Sequence, residues 1–335
     1  MNPSRIEVMN SLEGFVRDAS PSLLKAEDDY WQPMDFSPDM SKEEGFEAIR
    51  ALQTEARELP DEVMTVLIGD MVTEEALPSY SSWIAQLEGF DRSGEPKNSW
   101  GDWLRRWTAE ENRHGDLLNR WLYLCGRVNM REIEVTVQNL LSDGGDVQTG
   151  TDPYRAFVYT SFQEIATNYS HRNVAALAKR AGSESLARLC RFIAGDEARH
   201  ARAYKLFYSK VLELDTNEAL LALHDMIRRN IMMPAMNMRE RGAEVGDTFK
   251  QFAAVAERTG VYTRWDYVEI LEGLLEHWDI KNLKGLSPEA EKAQDYLGNI
   301  CARYRKIMER QGDKVIDHTP YEFSWLLPNT ASASS

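Results

Sequence analysis

The chain has 335 residues, 43% hydrophobic and 28% charged, with a formal net charge of −15. That is enough apolar material for a large core, and the acidity speaks against a general nucleic-acid surface. Three cysteines without a CxxC pair argue for a reducing compartment, and no apolar run is long enough to span a bilayer.

Helical periodicity dominates and strand alternation is scarce. The first long helix expected is 60–88, containing VMTVLIGDMVTEEALPSY. It is apolar over most of its circumference and then offers Glu74 and Glu75. Two stripes at helical spacing compete there. One is Val63, Leu67, Asp70, Glu74, Leu77, and the other is Met64, Ile68, Met71, Glu75, Pro78. Periodicity does not separate them.

After the loop DRSGEPKNS (91–99), the next helix expected is 100–128, with Ser99 as a possible cap. Its row in alternating steps of four and three reads Trp100, Leu104, Trp107, Glu111, His114, Leu118, Trp121, Cys125. Glu111 and His114 are the only members that are not apolar or aromatic, and Asn112 and Arg113 fall on other faces. The tryptophans read as packing.

The loop SDGGDVQTGTD (142–152) leads to Asp152-Pro153, a strong start for a helix over 153–181. Its inward row is Phe157, Thr160, Glu164, Thr167, His171, Val174, Ala178, in which Glu164 is the sole carboxylate. Gly182 and Ser183 separate it from a helix over 184–212. There the row Leu186, Cys190, Ile193, Glu197, His200, Tyr204, Phe207, Val211 repeats the E-x-x-H pair inside an apolar stripe. Helices over 216–240, 264–280 and 288–311 follow. No composition shift demands a boundary, so 1–328 reads as one helical domain and 329–335 as a disordered tail.

The order Glu, E-x-x-H, Glu, E-x-x-H on four helices is the ligand pattern of a carboxylate-bridged dinuclear metal site in a helical bundle. Oxygen and imidazole donors suit iron or manganese. A single buried pair would be unremarkable as an internal hydrogen bond, but two pairs interleaved with glutamates favour ligation. His171, His224, His277 and His318 read as structural. The arginine pairs Arg105-Arg106 and Arg228-Arg229 read as solvated faces.

The strings WQPMDF (31–36), GDMVTEEALPSY (69–80), WTAEENRHGDLLNRWLYLCGRVNMR (107–131), YTSFQEIATNYSH (159–171), DEARH (196–200) and GVYTRWDY (260–267) resemble the soluble acyl-ACP desaturases. The resemblance runs in order from about residue 5 to about 327. It implies an all-α, ferritin-like bundle with a four-helix diiron core and additional helices. It implies a homodimer that puts a cis double bond, at the ninth carbon by similarity, into an acyl chain on acyl carrier protein. The reaction would use O2 and electrons from ferredoxin. The implied ligands of two iron ions are Glu74, Glu111, His114, Glu164, Glu197 and His200. Thr167 resembles the small polar group beside the oxygen-binding face, and Trp31 and Asp196 resemble a surface-to-metal relay through His114.

Two departures are visible. The chain begins close to its WQP motif, which favours a bacterial cytosol over the plastid stroma. Trp83 differs from the family pattern, and the kink that Pro78 can impose would turn its indole towards a substrate channel; the simpler expectation is a packed tryptophan. The residue-level alternatives are a hydroxylase or N-oxygenase on the same scaffold and a ferritin-like iron-binding protein.

Overall fold

The computed structural model describes residues 4–93, 95, 97–312 and 319–328. The expected tail 329–335 and His318 lie outside the described residues. Those residues form twelve α-helices, short 3₁₀ turns and one isolated bridge between Val128 and Leu326.

Four helices carry the architecture. They are α3 (Asp61–Glu75), α5 (Ser99–Cys125), α7 (Pro153–Arg180) and α8 (Glu184–Leu214). Two apolar clusters lie on either side of a polar layer. On α5 Trp107 belongs to one cluster and Leu118 to the other. On α7 Phe162 and Val174 divide in the same sense, while α8 runs the other way, from Ile193 to Tyr204. α3 also runs that way, from Val63–Val72 in the second cluster to Glu74 beyond it. The intervening glutamates and histidines are thereby brought to one level.

The start of α7 is as expected: Asp152 accepts from the Tyr154 N–H and Pro153 occupies the first turn. At α5 the cap is Asn98, which accepts from Gly101 N, and Ser99 is already helical. Gly126 closes α5 with a φ of 72°, a left-handed conformation that costs glycine little.

The expected helix 60–88 is two. α3 stops at Glu75, Ala76 turns, and α4 spans Leu77–Ile84. Pro78 has no N–H for the Glu74 carbonyl and its ring would clash there in a continuous helix. The expected 216–240 ends early, as α9 (Thr216–Arg228), where Asn230 takes a φ of 62°. α11 (Arg264–His277) and α12 (Pro288–Gln311) fall close to the ranges expected.

Four helices were not expected from the sequence: α1 (Arg5–Leu23), α2 (Glu43–Arg57), α6 (Met130–Asp143) and α10 (Asp247–Thr259). For α1 a local signal existed. Ser4 and Glu7 form a reciprocal capping box. α10 approaches α3 closely because Gly69 has no side chain: a Cβ there would lie 2.3 Å from the Phe252 ring.

Candidate metal centre

Each E-x-x-H pair sits on one helical face because residues three apart are neighbours there. Glu111, His114, Glu164, Glu197 and His200 are all buried, and Glu74 is nearly so. Their donor atoms form two groups, Glu74, Glu111, His114, Glu197 and Glu111, Glu164, Glu197, His200, each with atoms within 4.8 Å of one another. Glu111 and Glu197 belong to both groups.

Glu111 turns one oxygen to each imidazole. Its Oε2 is 3.0 Å from His114 Nδ1 and its Oε1 is 2.6 Å from His200 Nδ1. Glu197 Oε1 lies 3.1 Å from His114 Nδ1, Glu74 Oε2 lies 3.8 Å from it, and Glu164 Oε2 is 3.6 Å from His200 Nδ1. Four inward atoms, Glu111 Oε1, Glu164 Oε1, His114 Nδ1 and His200 Nδ1, crowd together without an aligned hydrogen bond to any protein group. Buried polar atoms are rarely left so. Converging oxygen and imidazole donors without such bonds fit a pair of cations of the iron type.

The outward imidazole nitrogens are held by carboxylates. His114 Nε2 faces Asp196 Oδ2 at 3.3 Å, and Trp31 Nε1 donates to the same oxygen at 3.1 Å. Tyr30 donates to the other oxygen of Asp196, and Arg199 donates to it at 2.8 Å. The Trp31 and His114 rings are stacked, centroids 6.1 Å apart and 12° from parallel. The three residues expected to form the relay are therefore in contact. Thr167 donates to Glu197 Oε2 at 2.7 Å.

Several residues of this shell were not anticipated. Glu110 holds His200 Nε2 at 3.1 Å as Asp196 holds His114, and Arg199 bridges both carboxylates, reaching Glu110 at 2.6 Å. The signal was present in the sequence, since each E-x-x-H glutamate is preceded by an acid, Glu110-Glu111 and Asp196-Glu197. His171, expected to be only structural, lies 2.9 Å from Glu74 Oε1 through Nε2. Arg113, assigned to another face, is buried against Tyr30 and Trp31. Glu75 turns away from the centre, half-buried beside Asn119.

Crowding carboxylates and imidazoles without metal perturbs Glu74, Glu111 and Glu164. Burial, and then the neighbouring Glu111, raise Glu164 well above the usual range. Burial pushes Glu74 up to about 7 against the hydrogen bond from His171. Burial also opposes charge on Glu111, but His114 and His200 outweigh it and pull the group down to about 2. Both imidazoles are raised, burial notwithstanding, chiefly by Glu111. In the metal-free protein, protons take the place of cations. A raised folded-state pKa stabilises at low pH and loses that contribution as pH climbs, so Glu74 costs stability as pH rises from 4.5 through about 7. Metal displaces those protons and is bound more tightly over the same interval. Melting temperatures between about pH 5 and about pH 8 should fall for the metal-free protein and hold or rise for the iron-loaded one. Parallel curves would contradict this coupling.

A cavity of about 470 Å³ opens beside the centre. Glu74, Thr73, Thr167 and His171 form its inner end, and Asn230, Met232, Tyr304 and Ile307 are among its other lining residues. Trp83 does not line it. Its indole packs edge-on against Tyr159, donates to Thr149 at 2.8 Å, and walls a narrow separate cleft of about 30 Å³.

The family model described as fatty acid desaturase matches residues 4–327. The chain is 46% identical over 328 residues to a chloroplastic stearoyl-[acyl-carrier-protein] 9-desaturase of Gossypium hirsutum, covering 97% of this chain and 82% of that one. It is 44% identical over 326 residues to a chloroplastic palmitoyl-[acyl-carrier-protein] 4-desaturase of Coriandrum sativum, covering 97% and 84%. Among solved structures, DesA2 from Mycobacterium tuberculosis H37Rv shares the fold, with a TM-score of 0.53 at 19% identity over 86% of this chain and 99% of that one.

Proposed function

The chain belongs to the fatty acid desaturase family, and from that premise we propose that it is an acyl-[acyl-carrier-protein] desaturase acting through a dinuclear iron centre. The observation that carries the reading is the pair of interlocked ligand groups sharing Glu111 and Glu197, next to a large cavity that reaches Glu74 and Thr167. In the overall reaction two neighbouring methylenes each give up one hydrogen. O2, two electrons and two protons from outside complete the formation of two waters.

Two iron ions held by Glu74, Glu111, His114, Glu164, Glu197 and His200 would supply the oxidising power. The chain's residues do the rest. Glu111 and Glu197 are the shared carboxylates. Asp196 and Glu110 fix the orientation of the two imidazoles from outside, as ligand histidines require. The mainly apolar cavity takes the acyl chain and excludes water. Thr167 stands where that cavity meets the centre, its hydroxyl committed to Glu197. Trp31, only 7% exposed, and Asp196 provide the route by which a ferredoxin-type donor reaches His114.

The position we propose for the double bond is the ninth carbon, by the name of the stearoyl relatives. The palmitoyl 4-desaturase relative makes product analysis the decisive measurement. We further propose a homodimer. No described helix is long and apolar enough to cross a membrane, and the compartment we propose is a bacterial cytosol, with the plastid stroma as the alternative.

The test is mass analysis of the acid released after incubation with acyl-ACP, reduced ferredoxin and O2. An acid two hydrogens lighter supports the reading, and one carrying an added oxygen supports a hydroxylase.

A carrier-bound substrate also requires docking by an acidic partner on an acidic chain, hence local positive charge. Arginines that could supply it are mostly committed to neighbouring carboxylates. Arg239 pairs with Asp143 at 2.5 and 3.0 Å, Arg241 with Glu132 at 3.0 Å, and Arg229 with Asp225. Arg228 and Arg229 remain exposed next to Asn230, which lines the cavity. Turnover of acyl-ACP should fall as salt rises, because surface attraction is screened, and free fatty acid should be a poor substrate. Equal rates on free acid and acyl-ACP would remove the carrier from the account.

A further inference from the structure

Arg113 is an expensive residue where it stands. It is 6% exposed, and its Nε and Nη2 have no hydrogen-bond partner in protein. Its nearest carboxylate, Glu110, is 4.0 Å away. Another buried arginine, Arg127, shows the usual solution: it donates to the carbonyls of Ala56 and Leu59 and to Asp61. A buried cation without such partners is costly, and an apolar side chain of similar length would fill the space without that cost.

What Arg113 does have is two aromatic rings. Its guanidinium carbon lies 5.0 Å from the centroid of Tyr30 and 5.3 Å from that of Trp31. Arg199 adds a second cation 4.9 Å from Tyr30. Both rings contact Asp196, and Trp31 stacks on His114. The most readily oxidised side-chain types therefore lie one contact from a proposed iron ligand, with a fixed positive charge over them.

We propose that Arg113 protects Trp31 and Tyr30 from one-electron oxidation. The inference rests on the Trp31–Asp196–His114 path proposed above. Removing an electron from the indole leaves a radical cation, and a neighbouring guanidinium raises the energy of that state while favouring the neutral ring. Electrons can then pass inward by way of Trp31 without the ring being left oxidised. If the ring does lose two electrons to an oxidant, water adds one oxygen to it and two protons are released. That product can be weighed.

The experiment uses the metal-free full chain, the Arg113→Met and Arg113→Lys variants, and photogenerated ruthenium(III) tris-bipyridine as the one-electron oxidant. Peptide mass mapping reads oxygen addition at Trp31 relative to Trp265, which is 44% exposed and serves as an internal control. The ratio should rise about five- to thirty-fold in Arg113→Met and stay near the parent's in Arg113→Lys. An unchanged ratio in Arg113→Met, or an equal rise in both variants, overturns the proposal, since the first denies any protection and the second assigns it to packing. Arg113→Gln, read in the same way, replaces Arg113→Met if circular dichroism shows that variant unfolded. The iron-loaded enzyme cycled with O2 in the absence of acyl substrate should give the same ordering, and equal ratios there also overturn it. Failure of the path reading itself shows separately: Trp31→Phe would then turn over at the parent's rate with limiting donor, whatever the Arg113 variants do.

Discussion

Glu111→Ala should lose the coupled dinuclear centre and with it essentially all desaturation. Among the described residues, Glu111 is the side chain that presents an oxygen to each imidazole, at 3.0 and 2.6 Å. Its removal takes a ligand from both metal positions at once. Loss of a supporting residue outside a metal site commonly costs about 10–100-fold in affinity or activity, and removing a shared ligand should exceed that. His200→Ala should fail similarly by emptying one position. Glu75→Ala is the control, because Glu75 faces Asn119 rather than the centre. Iron analysis and optical spectroscopy read all three. A full diiron spectrum in Glu111→Ala, or its loss in Glu75→Ala with retention in Glu74→Ala, would mean that the ligand set is wrong.

Asp196→Asn should keep much of its iron yet turn over about 10–100-fold more slowly when electrons come from ferredoxin. The Asp196 carboxylate gathers Tyr30, Trp31 and Arg199 and faces His114 Nε2 at 3.3 Å. Its charge is held well below the usual carboxylate range: burial opposes this, but His114, Tyr30 and Arg199 prevail. An amide keeps the shape but removes the anion that fixes the imidazole and joins it to the indole. Trp31→Phe should share the defect at limiting ferredoxin and be relieved of it when the centre is reduced chemically beforehand. Parent-like rates in both variants at limiting donor would remove this path from the account.

The site was legible where chemistry interrupts a periodic stripe. Glu111, His114, Glu164, Glu197 and His200 stood out because each is polar in a row of residues that must face the core. Glu74 did not. Its helix is apolar nearly all round and breaks at Ala76, so no stripe could distinguish it from Glu75; the family resemblance selected it and the fold brings it beside His114. Glu110, Arg199 and His171 were missed because their roles depend on which helix lies opposite. The same holds for Arg113: periodicity placed it off the α5 stripe, but not under Tyr30 and Trp31, which arrive from a segment between helices. Trp83 shows the converse. A local argument from Pro78 offered a turn towards the channel beside the simpler expectation of a packed tryptophan, and the fold takes the simpler one, with the indole against Tyr159 and Thr149.

The central claim is a carboxylate-bridged pair of iron ions within each chain, and Mössbauer spectroscopy of the full chain reconstituted with ⁵⁷Fe and oxidised tests it most directly. The account predicts two irons per chain in a diamagnetic ground state at low temperature, as expected of ferric ions coupled through shared ligands. A single iron per chain, or two that behave as independent paramagnetic ferric ions, would contradict it.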